Sequence, residues 1–245
     1  MGRGSAALSA EIRELGLDRE AARYAAYHAP RYAILIEGLR ARIGSGPDAS
    51  RPRVLDIGPA VQTVLIRRAV PHATVDTLGY ASAVAPPREG ERHIDFDLTA
   101  AGDAERRPTL EPYDAIVLAE VIEHLATSPR SELECVASWL RPGGLLVLQT
   151  PNALALHKRL RALVGRDPLG AGGSVAAPSH SQVHFREYTL AELRELAAAT
   201  GFDEDEAVLA NHFRHQRAAQ RLYDRATAAL PAGTRQGITL YLRRR

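Results

Sequence analysis

From Arg53 to Pro151 short apolar runs alternate with helical segments, and this rhythm constrains the fold more than any other feature of the chain. "RVLDIG" reads as a strand and "VQTVLIRRAV" as a helix, while "ATVDTL", "RHIDFDL" and "YDAIVLAE" read as further strands. "SELECVASWL" is helical in pattern and stops at "RPGG", after which "LLVLQTP" is a fifth strand. A βαβα series of this kind predicts a parallel, doubly wound sheet.

The flanks differ from this core. Residues 5–43 carry Ile12, Leu15, Tyr24, Tyr27, Ile34, Leu35 and Leu39 at roughly helical spacing, and Pro30 predicts a split into at least two helices. "GSGPDASRP" (44–52) is a hinge in composition, so the expected division is a helical cap at 1–50 and a core at 51–245. Residues 153–183 interrupt the rhythm. The basic helix "ALALHKRLRALVG" precedes a Gly/Ala/Pro/Ser stretch, and long connections of this kind are expected to act as lids. In that helix Lys158, Arg159, Arg161 and Arg166 lie opposite Leu156, Leu160, Leu163 and Val164, the pattern of a docked helix with a solvated basic face or of a grip on an anionic acceptor. "TLAELRELAAATGF" is a helix with a Thr cap and a Gly stop. A strand around "EAVLAN", a helix at about 213–230 and a final strand "ITLYLRR" follow, the last expected as an antiparallel edge.

Composition narrows the classes. A chain of 245 residues can bury a large core, and a formal net charge of +2 is far from that of a dedicated nucleic-acid binder. With 5% aromatic residues and no basic stripe interleaved with them, nucleic acid is not the expected partner. The single cysteine, Cys135, excludes an internal disulfide and a cysteine zinc site, and is expected as a small apolar core residue. The N-terminal "MGRGSAALSAEIRELG" has no continuous apolar stretch and nothing later approaches a membrane span, so a soluble, cytoplasmic protein without a membrane partner is expected.

Two stretches carry chemistry. "VLDIGPAVQT" brings a strand ending in Asp56 and Gly58 into a helix, at the carboxyl edge where doubly wound sheets bind nucleotides. Asp76 follows about 20 residues later, the separation at which an acid meets ribose hydroxyls. Ala60 and Gln62 stand where a pyrophosphate loop wants glycine, which favours an adenosine ligand without phosphates. The second stretch, "LAEVIEHL", sets Glu120, Glu123 and His124 on one helical face behind the fourth strand. Two carboxylates and an imidazole suit a hard or borderline divalent cation, and "VHFREYT" offers His184 as a fourth ligand. In "HFREYT" itself, Thr189 with Glu192 is a capping box for the following helix.

The ordered segments "VLDIG", "YDAIVLAEVIEHL", "LRPGGLLVLQTPN" and "HFREYTLAELRELAAATGF" resemble the class I S-adenosylmethionine-dependent methyltransferases over about residues 51–245. The resemblance implies a Rossmann-like sheet of seven strands, mostly parallel with an antiparallel last strand. It implies cofactor contacts at Asp56, Gly58, Ala60 and Gln62, a ribose contact at Asp76, an adenine-facing Asp97 and Leu98, and Ala119 with Glu120 beside the methyl donor. Glu-x-x-Glu-His followed by a distant His is similar to metal-dependent small-RNA 2′-O-methyltransferases, and a like motif occurs in quinone-biosynthesis O-methyltransferases. That likeness implies Mg²⁺ or a similar ion on Glu120, Glu123, His124 and His184. The metal-free alternative makes His124 or His184 the base, with Glu120 in the same wall. The expected function is methyl transfer to a hydroxyl of a small molecule such as a sugar, glycoside or secondary metabolite, with a homodimer as the expected assembly. The alternatives are an RNA 2′-O-methyltransferase, altered non-methyl chemistry on the same cofactor, and a scaffold without catalysis.

Overall fold

The computed structural model describes residue 8 and residues 10–43, 51–169, 183–213 and 218–245, with backbone alone at 218–221. Most of the expected hinge at 44–52, much of the expected lid with His180 in it, and the start of the helix expected at about 213–230 with His215 in it lie outside the described residues.

Helix α1 (Arg19–Arg42) starts where Asp18 accepts a hydrogen bond from the Ala21 amide at 2.8 Å, and it runs through Pro30 without a break. The helical pattern is interrupted earlier, at Gly16, which takes φ 65. Burial explains why Pro30 does not divide the helix: Ala25, Ala29, Tyr32, Leu35, Ile36 and Leu39 are held against the sheet on both sides of it. Packing of such a face offsets the roughly 3 kcal/mol that an interior proline costs.

The core then alternates β1 (Arg53–Ile57), α2 (Val61–Ala69), β2 (Thr74–Leu78), β3 (His93–Ile94) and β4 (Tyr113–Ala119). It continues with α3 (Pro129–Ser138), β5 (Leu140–Pro151), α4 (Leu156–Leu163), α5 (Leu190–Ala199), β6 (Phe202–Ala210), α6 (Ala218–Ala229) and β7 (Gly237–Arg244). One seven-stranded sheet has the order β3-β2-β1-β4-β5-β7-β6, parallel except for β7, which runs antiparallel to both neighbours. The strand expected over "RHIDFDL" shrinks to two residues, because Asp97 accepts from the Thr99 amide at 2.9 Å and opens a short 3-10 helix instead. The last strand is not an edge. All of Ile238 to Leu242 is buried, whereas β6 reads "FDEDEAVLA" and exposes its acidic half, so the apolar strand takes the interior place.

The period of two along each strand divides the core. Ile116 and Leu118 of β4 join Leu133, Val136, Leu193 and Ala197 of α3 and α5, while Ala115, Val117 and Ala119 join α1 and α2 on the other face. Cys135 is fully buried in the first of these clusters. Strand order reverses between β1 and β4, so a crevice opens at their carboxyl ends, where Gly58 and Glu120 follow.

Candidate active site

Gly58 leaves β1 with φ +80, and a Cβ there would lie 2.8 Å from Val121 Cγ2. Only glycine combines that left-handed backbone with so close an approach. Asp56, just before it, is fully buried and holds the loop: it accepts from Thr63 Oγ1 at 2.6 Å and from Gln62 Nε2 at 3.3 Å. Thr63 Oγ1 also accepts from the Ala60 amide at 3.1 Å, and Gln62 Nε2 also reaches the Gly58 carbonyl at 3.2 Å. Gln62 therefore packs into the loop by tying its own side chain to it. Burial pushes the Asp56 carboxyl up to about 7, against the pull of Thr63, Gln62 and the Arg31 charge.

A cavity of about 650 Å³ lies beyond the end of β4, lined in part by Glu120, Glu123, His124, Lys158, His184 and Glu187. Tyr24, Tyr27 and His28 of α1, with Phe213 and Tyr223, give it an aromatic side, where Tyr27 stacks on Phe213 with centroids 5.1 Å apart. A second cavity of about 290 Å³ is lined by Ala60, Val61, Ser82 and the start of α1, and Tyr24 lines both.

Ligand atoms of Glu123, His124 and His184 lie within 4.8 Å of one another. Each is fixed by a neighbour. His124 Nδ1 is 2.9 Å from the Val183 carbonyl, which can only accept, so Nδ1 carries the proton and Nε2 keeps its lone pair. His184 Nδ1 lies 3.0 Å from Glu187 Oε1 and is set the same way by a carboxylate. Burial opposes the charge on Glu187, but the His184 and Lys158 contacts hold its pKa below the ordinary range. Glu123 is fully buried; Oε2 accepts from Thr150 Oγ1 at 3.0 Å, and Oε1 has no hydrogen-bond partner among the described residues. Burial, and then the nearby Glu120, raise the Glu123 pKa well above the usual value. Burial likewise lowers that of His124, so its imidazole stays neutral near pH 7.

Glu120 is outside this group. β4 ends at Ala119, and Glu120 turns away with φ 56 so that its Oε1 faces His212 Nδ1 at 3.7 Å. The turn that follows is a 3-10 helix at Ile122–His124, and this change of backbone separates Glu120 from Glu123 and His124.

The chain also matches known proteins. A family model described as a methyltransferase domain matches residues 24–207. The chain belongs to that methyltransferase family. The match begins inside α1, so the family's unit includes the helix that closes the crevice. No curated protein matches the sequence. Among solved structures, a SAM-dependent methyltransferase from Archaeoglobus fulgidus is 15% identical with a TM-score of 0.51, covering 87% of this chain and 94% of that one. The magnesium protoporphyrin IX methyltransferase of Synechocystis PCC 6803, solved with bound SAH, is 12% identical with a TM-score of 0.53, covering 88% and 82%. The (4+2)-cyclase SpnF is 14% identical with a TM-score of 0.53, covering 88% and 80%. At such identities the likeness is one of fold.

Of the other residues expected at the cofactor, Ala119 ends β4 as expected, while Asp76, Asp97 and Leu98 are engaged within the protein. Asp76 is in the middle of β2, in register with Leu55, rather than at the strand end. Its carboxylate accepts from Arg53 at 3.0 Å, from the Arg92 amide at 2.8 Å and from the Tyr113 hydroxyl at 2.8 Å, so it ties strands together. Leu98 is buried in the core, and Asp97 caps the short helix after β3. Ala119 is buried at the end of β4. The basic helix α4 departs from its expected polarity: Lys158 is buried, donating to the Asn152 carbonyl at 3.1 Å and to Glu187, and Leu160, Leu163 and Val164 are exposed, while Arg159 and Arg166 are exposed as expected.

Four site residues escaped the sequence reading: His28, Arg31, Glu187 and His212. Arg31 is 1% exposed, donating to His28 Nδ1 at 3.0 Å and to Gln62 Oε1 at 3.4 Å. The available signal was two polar residues, His28 and Arg31, on the buried stripe of an otherwise apolar helix face. His212 had no signal, because it follows an acidic edge strand and reaches Glu120 only through the sheet order.

Proposed function

We propose that this methyltransferase-family chain transfers the methyl group of S-adenosylmethionine to a hydroxyl of a small molecule, such as a sugar, glycoside or secondary metabolite, held in the 650 Å³ cavity. The observation that carries the reading is the group Glu123, His124 and His184, gathered at the end of β4 with two imidazole lone pairs and one unpartnered carboxylate oxygen. A hydroxyl acceptor needs its proton removed; the imidazole lone pairs could accept it, and a cation held with Glu123 could help displace it.

S-adenosylmethionine fits the crevice on one physical ground: the Gly58 turn stands at the carboxyl edge where the strand order reverses, the place where such sheets bind nucleotides, in a loop with no pyrophosphate cradle. When bound, the cofactor supplies an electrophilic methyl group. The chain's own part is alignment and dryness. The Asp56–Gln62–Arg31 hydrogen bonds fix the loop against α1, and α1 roofs the acceptor cavity with Tyr24 and Tyr27.

A divalent cation also fits, because a buried carboxylate oxygen without a partner beside two oriented imidazoles is a ligand set. Glu123, His124 and His184 would hold it, and when bound it supplies Lewis acidity that lowers the pKa of a nearby hydroxyl. Two nitrogens and one oxygen suit Mn²⁺ or Zn²⁺ better than Mg²⁺, which favours oxygen alone. In the metal-free version of the reading, neutral His124 Nε2 takes the acceptor proton directly.

Calorimetry with S-adenosylhomocysteine tests the reading; absence of binding at about 1 mM, a limit of about −4 kcal/mol, would overturn it. Electron paramagnetic resonance of added Mn²⁺ tests the ligand set. The wild type should bind one ion that His184→Ala does not, and equal binding by both would leave the metal-free version.

A further inference from the structure

Glu120 has its own neighbours. For a residue other than glycine, φ 56 is a strained backbone. The strain places the side chain in the wall of the cavity, at the end of the strand that flanks the cofactor crevice. Among the described residues its Oε1 is buried without a hydrogen bond, and so is Nδ1 of His212, 3.7 Å away. At that separation the two groups are oriented toward each other with no direct bond.

The orientation of His212 is set from behind. Thr239 Oγ1 accepts from Gln149 Nε2 at 2.9 Å and lies 3.3 Å from His212 Nε2. Nδ1 faces a carboxylate, which when ionised can only accept, and this favours the tautomer with the proton on Nδ1 and leaves Nε2 to accept from the Thr239 hydroxyl. His212 is fully buried and sits so close to β7 that a Cβ at Gly237 would be 2.1 Å from its Nδ1. The other groups around Glu120 are Tyr27, His28 and Arg31 of α1, and Glu123 and His124 of the next turn. The described hydrogen bonds of the Arg31 guanidinium go to His28 and Gln62, so it lends Glu120 its field without occupying the free oxygen. Burial opposes ionisation of Glu120, but the facing His212 and then the Arg31 charge outweigh it and hold the carboxyl below the ordinary range.

We infer that Glu120, oriented by His212, recognises positive charge at the donor end of the site, so that the cationic sulfonium of S-adenosylmethionine binds in preference to the neutral thioether product. This rests on the proposed cofactor. Glu120 touches the ligand, and His212 is a positioning residue that acts through it. The consequence is product release: once the methyl group has left, the ligand loses the charge that Glu120 holds.

The test compares dissociation constants of S-adenosylmethionine, S-adenosylhomocysteine and sinefungin, whose amine carries a positive charge in place of the methyl sulfonium. Calorimetry in EDTA keeps metal out of the comparison. Both cations should bind roughly tenfold more tightly than S-adenosylhomocysteine, a difference of about 1.4 kcal/mol. Glu120→Gln should bring all three within about threefold, by weakening the cations and sparing the thioether. His212→Asn, whose amide can stand where Nδ1 does, should keep the preference; His212→Gln, which replaces Nε2 instead, should lose it. Folding of each variant is read from its thermal unfolding, and the His212 pair supplies the answer if Glu120→Gln does not fold. Equal affinities in the wild type, or a loss in Glu120→Gln shared by all three ligands, would overturn the inference while leaving the cofactor assignment standing. Failure of all three to bind the wild type would instead remove the cofactor reading itself.

Discussion

The Lys158 ammonium is buried against the Glu187 carboxylate, whose other oxygen takes His184 Nδ1 at 3.0 Å. A helix with the sequence of a solvated basic face thus anchors the ligand set through its one lysine. Both charged side chains are nearly inaccessible, at 7% and 4% exposure. Removing one partner of such a pair costs about 3–5 kcal/mol, because the other charge is left buried. Lys158→Met should lose stability of that order at pH 7 in urea unfolding. Glu187 has a depressed pKa, so its contribution is present above the unfolded value and lost as the pH falls through the folded one. The gap between wild type and variant should therefore close below about pH 4.

Asp56 gives the opposite pH dependence. Its folded pKa is raised to about 7 by burial, so the folded state binds a proton that the unfolded chain has already released. Its contribution is fully present below the unfolded value of about 4 and is lost as the pH rises to about 7. Asp56→Asn should flatten the fall in melting temperature across that window. An unchanged slope would show that Thr63 and Gln62 keep Asp56 ionised.

Gly58→Ala combines two penalties. The left-handed backbone should cost about 1–2 kcal/mol, and the approach to Val121 Cγ2 at 2.8 Å about 1–3 kcal/mol more. Adding Val121→Ala should recover the second part and not the first. Denaturant midpoints of the two variants separate the contributions.

Gly237 has no unusual φ, so its role is space for His212 alone. Gly237→Ala should destabilise the fold by about 1–3 kcal/mol and displace the imidazole. In a double variant with His212→Ala most of that cost should vanish, as a double-mutant cycle of unfolding free energies would show.

The core was legible because its signal is local. "VLDIG", "YDAIVLA" and "LLVLQTP" carry their apolar runs in consecutive residues, and the Thr189–Glu192 capping box is complete within four residues of sequence. Glu123, His124 and His184 were legible for a related reason: polar groups placed directly after buried strands, or directly before a capped helix, stand out against the pattern. The fate of Pro30 was not legible. A proline's local penalty is fixed, whereas the packing that overrides it belongs to residues far along the chain.

By itself the sequence determined the doubly wound sheet, the glycine turn after β1 and the carboxylate-imidazole stretch after β4, since each depends on neighbours a few residues apart. The tertiary structure decided which of those groups meet. It separated Glu120 from Glu123 through one left-handed residue, took Asp76 into a strand-binding cluster, and buried Lys158 beside Glu187. It also brought His212 to Glu120, because β6 runs in the same direction as β4 and both end at the carboxyl edge of the sheet. The physical reason is common to all four: a buried polar group takes whichever partner the packed backbone places within reach, and that choice is made across the sheet rather than along the chain.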